Sequence, residues 1–285
     1  MEEETIKSWT KQLSTSSIES NLESSGTDFK MFHINSCFPS TLLELEIHVS
    51  ILRAGNSPHK PHTHPQEELI IILSGKLQII RTAPSQKIIK STPLGPGSLT
   101  YHDSNRVHTV YSVGPEPAIY ICIKWSGKKI KERNNLLTSS DFIIDYIEEK
   151  KTLHSEFKTS KLFESPTEFL EKLHCHISHM KPDSGYEPHK DSYDVMIILL
   201  DGKIETLNKE LESKSVIFYQ AGEPHGMKNI GSKVAQYIVF EFHGKDYIFN
   251  AQMYIRRIFK SILRRVMPRK HSEEYAFKIV ENKNL

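Results

Sequence analysis

The residues best suited to chemistry in this sequence are two histidines and a glutamate in a polar stretch that precedes an apolar run. His62 and His64 are separated by one residue, and Glu68 follows four residues after His64. Side chains alternate between the two faces of an extended chain, so these three groups are predicted to share one face. Two imidazole nitrogens and a carboxylate suit a divalent transition metal. A fourth ligand must come from another segment, and His108, which follows a glycine turn and a short strand, is the candidate.

Both segments resemble the two sequence motifs of the cupin superfamily. The first motif is a glycine, His-x-His, three residues, Glu, six residues and Gly, and it is matched by Gly55, His62, His64, Glu68 and Gly75. One residue more than usual precedes the first histidine. The second motif is matched at Gly97 and His108, whereas Asp103 and Asn105 replace the usual Pro and Gly. The resemblance implies a small β-barrel whose four ligands hold one divalent transition metal: iron, manganese, nickel or zinc.

Composition describes a globular protein without a special charge balance. The chain has 285 residues, of which 38% are hydrophobic and 25% charged, and its formal net charge is +2. This charge gives no reason to expect nucleic acid, and no helix-turn-helix or zinc-finger pattern is present. Cys37, Cys122 and Cys175 are widely spaced, which is typical of reduced thiols in an intracellular protein. The sequence lacks a signal-peptide pattern and an apolar run of the ~20 residues needed to span a membrane, so we expect a cytoplasmic protein.

Short predicted strands dominate the sequence between residues 29 and 243. Strands this short, with turn residues every eight to twelve positions or so, are typical of an all-β sandwich or barrel. We expect two tandem, jelly-roll-like cupin barrels at residues 29–127 and 160–243, joined by a linker over 128–159 with a helix at Asp141–Lys150. Residues 1–28 are predicted to be a flexible segment with a short helix near Ile6–Leu13 and a flexible stretch from Ser14 to Gly26.

An internal repeat supports two barrels, because His62–Gly75 and His189–Gly202 both span thirteen steps. His189, Asp191 and His225 correspond to three of the four ligands, but Val195 stands in place of Glu68 and cannot bind a metal. Two interpretations remain open for the second barrel. It holds a metal as a site of two histidines and one carboxylate, or it is a degenerate copy kept for packing and dimerisation, which we favour. His174 and His176 also share a strand face, and we interpret them as hydrogen-bonded structural residues.

Residues 244–285 form the last predicted segment, a basic amphipathic helix and tail. The helix covers residues 245–270, with aromatic and aliphatic side chains on one side and arginines and lysines on the other. Such a helix either lies on an anionic membrane surface or packs its apolar side against a barrel. We favour packing and keep peripheral membrane contact and a homodimer as further hypotheses.

Three histidines and a carboxylate leave coordination positions open, as in catalytic metal sites. We therefore expect a metal-dependent enzyme that acts on a small oxygenated organic molecule, with a dioxygenase-type oxidoreductase as the leading hypothesis. Glu68, Arg106 and Tyr101 are the predicted catalytic side chains, and Arg106 is the candidate to hold a carboxylate of the substrate. Isomerase, decarboxylase or lyase chemistry, and a non-catalytic protein that binds a sugar or an acid, remain alternatives because fold and metal do not fix the reaction.

Overall fold

Strands make up almost all of the computed structural model, which describes residues 8–37, 39, 41–82, 88–130, 142–144 and 155–244. Within these ranges the chain forms one helix, α1 (Thr15–Ser25), and nineteen strands. The first ten strands are β1 (Trp9–Gln12), β2 (Phe29–Cys37), β3 (Glu44–Leu52), β4 (Glu67–Ser74), β5 (Leu77–Thr82), β6 (Ile88–Lys90), β7 (Leu99–His102), β8 (His108–Ser112), β9 (Ala118–Ser126) and β10 (Phe142–Ile144). The others are β11 (Phe157–Ser165), β12 (Lys172–Met180), β13 (Gly185–His189), β14 (Asp194–Asp201), β15 (Lys203–Thr206), β16 (Lys209–Glu212), β17 (Ser215–Tyr219), β18 (His225–Asn229) and β19 (Ala235–His243). The predicted all-β class is confirmed.

Strands β2 to β10 build the first barrel, which we call barrel 1. Its larger sheet has the order β10-β7-β4-β9-β3-β2, and its smaller sheet has the order β6-β5-β8. The register of β4 places Glu68 opposite Lys124 of β9 on one side and opposite His102 of β7 on the other. Three polar side chains therefore come together in one row at the end of the barrel where β4 begins.

Strands β11 to β19, together with β1, build barrel 2. Its larger sheet has the order β1-β17-β14-β19-β12-β11, and its smaller sheet has the order β13-β18-β15-β16. Strand β14 is the counterpart of β4, and its register places Val195 opposite Glu241 of β19 and Tyr219 of β17. Val195 thus holds the position of Glu68, as the repeat predicts.

One strand crosses from the start of the chain to the second barrel. β1 precedes barrel 1 but pairs antiparallel with β17 of barrel 2, whereas β10, between the two barrels in the sequence, pairs antiparallel with β7 of barrel 1. The prediction of a helix near Ile6–Leu13 is therefore wrong for the residues of β1, which form a strand. The expected helix at Asp141–Lys150 is wrong over β10, and its other residues lie outside the described ranges.

The segment predicted to be flexible before residue 28 is largely the helix α1. Ser14 caps its first turn by accepting a hydrogen bond from the backbone N–H of Ser17, and Gly26 ends it with a left-handed φ of 65°. Ile18 and Leu22 are buried and pack into the main hydrophobic cluster. The prediction of flexibility is wrong because polar serines cover the outer face of a helix whose inner face carries these apolar side chains.

One hydrophobic cluster connects the barrels, which belong to one compact unit. It combines side chains from the larger sheets of both barrels, and Trp125 meets Phe242 edge to face at a ring-centroid distance of 5.6 Å. Two further clusters fill the interiors of barrel 1 and barrel 2. The larger sheet of each barrel therefore has one face toward its own interior and one face toward the other barrel.

A buried carboxylate at the start of β4 accepts four hydrogen bonds at this junction. Oε1 of Glu67 accepts from the Tyr101 hydroxyl at 2.8 Å and from the Glu168 backbone N–H at 2.6 Å. Oε2 accepts from the Trp125 indole N–H at 2.6 Å and from the Thr167 hydroxyl at 2.8 Å.

Its counterpart on β14 is Asp194, which accepts from the Thr41 hydroxyl at 3.1 Å and from the Ala221 backbone N–H at 3.0 Å. Thr41 belongs to barrel 1 and Thr167 to barrel 2. Each barrel therefore offers a threonine to the buried acid of the other.

The described part of the chain contains no helix that is long and apolar enough to cross a membrane. The helix predicted over 245–270 lies outside the described residues, so packing against a barrel and peripheral membrane contact both stay hypotheses.

Candidate metal centre

The candidate ligands of barrel 1 come from two loops that are held together by backbone hydrogen bonds. The N–H of His62 donates to the carbonyl of His108 at 3.1 Å, and the N–H of His108 donates to the carbonyl of His62 at 3.0 Å. The N–H of Asn105 donates to the carbonyl of His64 at 2.8 Å. Asn105 has a left-handed φ of 57°, the conformation that the glycine usual at this position adopts easily. Asparagine tolerates this conformation, so the atypical turn keeps its shape.

Three imidazole rings converge at the mouth of barrel 1. The ring centroids of His62, His64 and His108 lie 5.0–5.4 Å apart. One nitrogen from each of the three lies within 4.8 Å of the nitrogens of the other two, which is close enough for one ion to be shared. The structure therefore brings together the three histidines that the sequence predicts.

Backbone contacts fix which nitrogens of two of these histidines face the centre. Nδ1 of His64 lies 3.0 Å from the carbonyl of Gln66, and Nδ1 of His108 lies 2.9 Å from the carbonyl of Arg106. A ring nitrogen beside a carbonyl must carry the proton, so Nε2 keeps the lone pair that a metal needs. Nε2 of His64 and Nδ1 of His62 are buried nitrogens without a hydrogen-bond partner among the described residues. Burial, aided by the charges of neighbouring histidines, lowers the pKa of His62 to about 3, so its ring is neutral.

Glu68 lies against two of the histidines, as a fourth ligand should. Its Oε2 is 2.8 Å from Nε2 of His108 and 3.5 Å from Nε2 of His64. Burial alone would raise the pKa of Glu68, but the charge of Lys124 and the two histidine rings beside the carboxylate lower it well below its usual value. The carboxylate is therefore ionised. The orphaned nitrogens and this anion form a donor set that fits a divalent transition metal.

Lys124 is a residue of this site that sequence reasoning missed. Its ammonium group lies 3.5 Å from Oε1 of Glu68. The signal was present in β9, where Cys122 and Lys124 alternate with the apolar side chains Ile121 and Ile123 and must share the inward face. A lysine beside the metal ligands provides a positive charge for an anionic ligand.

Two further histidines border the site. The ring of His102 stacks on that of His108 at a centroid distance of 4.2 Å. The ring of His59, an exposed residue, lies 4.0 Å from that of His62. The same stacking recurs in barrel 2, where Tyr219 lies 4.0 Å from His225.

The structure places Tyr101 away from the three histidines, and the catalytic role of Arg106 remains a prediction. Tyr101 lies on the face of β7 opposite to His102, and its hydroxyl group bonds to Glu67 and Asp103 within the junction of the barrels. Arg106 offers its carbonyl to His108, and its side chain forms no ion pair with any described residue. Glu68 is the one predicted catalytic side chain that the structure places among the three histidines.

Barrel 2 brings together the three residues predicted at its equivalent position. His189 and His225 face each other across β13 and β18, with ring centroids 4.6 Å apart. Oδ2 of Asp191 lies 3.3 Å from Nε2 of His225 and 3.8 Å from Nε2 of His189. Val195 is packed into the interior cluster of barrel 2 and supplies no ligand. The three residues could hold a metal, so both interpretations of barrel 2 remain open.

Comparisons with known proteins agree with the fold and the motif. Residues 48–124 match the family model described as the cupin domain. No curated protein matches the sequence. Solved structures that are similar include a protein described as glyoxylate-induced, from Pseudomonas aeruginosa, with a TM-score of 0.60, 14% identity, and coverage of 79% of this chain and 84% of that one.

Two further similar structures are enzymes. A salicylate 1,2-dioxygenase variant from Pseudoaminobacter salicylatoxidans has a TM-score of 0.61 with 8% identity, covering 82% of this chain and 83% of the other. An oxalate decarboxylase has a TM-score of 0.51 with 9% identity, covering 88% of this chain and 84% of the other. At such identities these matches establish a shared fold and leave the reaction open.

Proposed function

This chain is a two-barrel protein with the cupin fold, and from that premise we propose that it is a metal-dependent enzyme whose centre lies in barrel 1. Its substrate is a small oxygenated molecule that carries a carboxylate or a similar anionic oxygen group. Dioxygenase-type oxidation is the leading reaction. The observation that carries the proposal is the set of inward-facing nitrogens of His62, His64 and His108, which lie around one point beside the ionised carboxylate of Glu68.

His62, His64, Glu68 and His108 would hold the metal. Once bound, a divalent metal at such a site supplies Lewis acidity and, if it is iron(II), electrons for the reduction of dioxygen. No cysteine takes part in the ligand set, which favours a reactive centre over a closed structural one.

The side chains around the ligands have separate tasks in this proposal. Lys124 attracts the anionic group of the substrate, because its ammonium already lies 3.5 Å from a carboxylate oxygen of Glu68. The exposed ring of His59 covers His62 at the mouth and limits which molecules enter. The stacked ring of His102 keeps the plane of His108 fixed, so that its Nε2 stays directed at the centre.

The reaction is tested by reconstituting metal-free protein separately with iron(II), manganese(II), nickel(II) and zinc(II). Each form is given a panel of small hydroxy, oxo and aromatic acids while oxygen uptake and carbon dioxide release are recorded. The proposal expects oxygen uptake with the iron form, and its loss in Glu68→Gln. The barrel 2 variant His225→Ala serves as a control that should keep the activity.

Other outcomes select the alternatives. Carbon dioxide release without net oxygen uptake would replace oxidation by decarboxylation, and conversion of the substrate with neither gas would indicate an isomerase or lyase. Protein that binds a metal and one of the acids but turns over none of them would be a binding protein, and the enzymatic proposal would be abandoned.

A further inference from the structure

A third group of metal-ligating side chains lies inside barrel 2, on the strands β12 and β19, and includes none of the motif residues. His174 and His176 project from one face of β12, and Glu241 projects from β19 directly opposite His174. One ligand atom from each of the three lies within 4.8 Å of the other two. We propose that His174, His176 and Glu241 form a site for a divalent transition metal that is separate from the motif positions of both barrels.

The two barrels carry different residues at equivalent positions of the row that crosses the larger sheet. In barrel 1 the row across the sheet reads Glu68 on β4, Lys124 on β9 and Glu46 on β3. In barrel 2 the same row reads Val195, Glu241 and His174. The carboxylate is thus missing from the motif strand but present on the next strand, where barrel 1 has a lysine.

Hydrogen bonds outside the three ligands orient them. Nδ1 of His174 lies 2.7 Å from Oε2 of Glu164, so this nitrogen carries the proton and Nε2 keeps its lone pair. Nε2 of His243 lies 2.8 Å from Oε2 of Glu241, which leaves the other oxygen of Glu241 for an ion. Around protein-bound zinc, a histidine ligand commonly donates its other ring N–H to a carboxylate in this way.

The spacing of the two imidazoles fits coordination. Nε2 of His174 and Nδ1 of His176 lie 3.1 Å apart. Ligands at about 2.0–2.1 Å from one ion are separated by roughly 2.9 Å in octahedral geometry and roughly 3.3 Å in tetrahedral geometry, values on either side of this distance. In the absence of an ion the same pair can share a proton as a hydrogen bond, which is the alternative that the experiment must exclude.

Charge favours an ion over a hydrogen-bonded network. Glu241 is only partly exposed, and the described residue within ion-pair distance of its carboxylate is His243, a histidine that carries a charge only when it is protonated. A carboxylate withdrawn from water needs a compensating positive charge. A divalent cation held by two neutral imidazoles supplies it, and the mixture of nitrogen and oxygen ligands suits zinc, iron(II), cobalt(II) or nickel(II).

The test measures how many equivalents of cobalt(II) bind to full-length protein from which metal has been removed. Cobalt(II) is a coloured probe whose absorption spectrum depends on its ligands. The starting variant is His62→Ala/His108→Ala, which removes the centre of barrel 1. Two further pairs of changes are then compared in that background. One is His174→Ala/Glu241→Gln, and the other is His189→Ala/His225→Ala at the motif position of barrel 2.

The proposal expects the first pair to remove one bound equivalent together with the absorption that this cobalt ion contributes, whereas the second pair leaves that equivalent in place. His179→Ala, a histidine change on β12 outside the cluster, serves as the matched control and should change nothing. Circular dichroism confirms that each variant is folded. If the equivalent is lost with the motif pair and kept with His174→Ala/Glu241→Gln, or if no cobalt binds in the starting variant, the proposal is overturned. Because the metal centre of barrel 1 is already removed in the starting variant, neither result depends on the proposed enzymatic function.

Discussion

Replacing Glu67 by glutamine should weaken the junction between the two barrels, because the new amide cannot satisfy the four donors around it. The two donors on Oε2 are the Trp125 indole N–H and the Thr167 hydroxyl, and those on Oε1 are the Tyr101 hydroxyl and the Glu168 backbone N–H. A hydroxyl group can turn and accept a hydrogen bond, but an N–H group cannot. Whichever way the amide is flipped, its NH₂ group therefore faces one N–H donor.

The size of the effect follows from that single mismatch. A buried donor left without an acceptor costs about 1–3 kcal/mol, and this is the expected loss in the free energy of unfolding of Glu67→Gln. Protonation of the natural side chain causes no such loss. Burial raises the pKa of Glu67 to about 7, yet the protonated acid can donate to the Tyr101 or Thr167 oxygen and still accept from both N–H groups.

Asp194→Asn is the matched control, since Asp194 occupies the same position in barrel 2 but faces one hydroxyl and one N–H donor. Its amide can accept from the Ala221 N–H and donate to the Thr41 hydroxyl, so the change should cost less than about 1 kcal/mol.

Burial raises the pKa of Asp194, so the folded protein binds the proton of this carboxyl group more tightly than the unfolded chain does. The stabilisation from the protonated acid is complete below the unfolded pKa of about 4 and is lost as the pH rises through the folded value. The stability of Asp194→Asn relative to the natural protein should therefore increase as the pH is raised above the unfolded pKa of about 4.

Urea denaturation followed by tryptophan fluorescence measures both variants at several pH values. The reasoning predicts a clear loss for Glu67→Gln and a small change, moving in favour of the variant with increasing pH, for Asp194→Asn. Equal losses in the two variants would refute it, because the hydrogen-bond pattern would then not distinguish the two buried acids.

Two further predictions concern barrel 1. Lys124→Met should leave its metal content unchanged but weaken the binding of acetate to zinc-loaded protein by about tenfold to a hundredfold, as measured by calorimetry, since a hydrogen bond to a charged group contributes roughly 1.5–3 kcal/mol. Unchanged acetate affinity would remove Lys124 from the proposed substrate contact. Asn105→Ala should lower the free energy of unfolding by about 1 kcal/mol because alanine resists the left-handed conformation. Asn105→Gly should cause no such loss. Equal stability of the two variants would show that the left-handed backbone conformation at Asn105 does not determine the effect of the substitution.

The ligand positions of barrel 1 could be predicted because their spacing follows from local geometry. His62, His64 and Glu68 lie close together in the chain, and backbone pairing to the second loop brings in His108. The thirteen-step repeat likewise made barrel 2 and the substitution by Val195 predictable, since equal spacing preserves the register of a strand.

Other features depend on partners that are remote in the chain. The position of Tyr101 on the face of β7 opposite to His102 could not be predicted, because a one-residue shift in phase exchanges the faces of a strand and the sequence does not state the phase. The strands β1 and β10 were missed because each pairs with a strand that is remote in the chain, β17 for β1 and β7 for β10. The cluster of His174, His176 and Glu241 forms only when β12 and β19 pair. Its outer members, His174 and Glu241, are 67 positions apart in the sequence, and spacing carries no information over such a distance.

The central claim is that one divalent metal is bound by the histidines of barrel 1, and metal stoichiometry tests it most directly. Purified protein and the variant His62→Ala/His108→Ala are saturated with zinc, dialysed and assayed by elemental analysis, with His33→Ala on the exposed part of β2 as a histidine control. The natural protein and the control should hold one equivalent more per chain than the double variant. Equal zinc content in all three proteins would contradict the account.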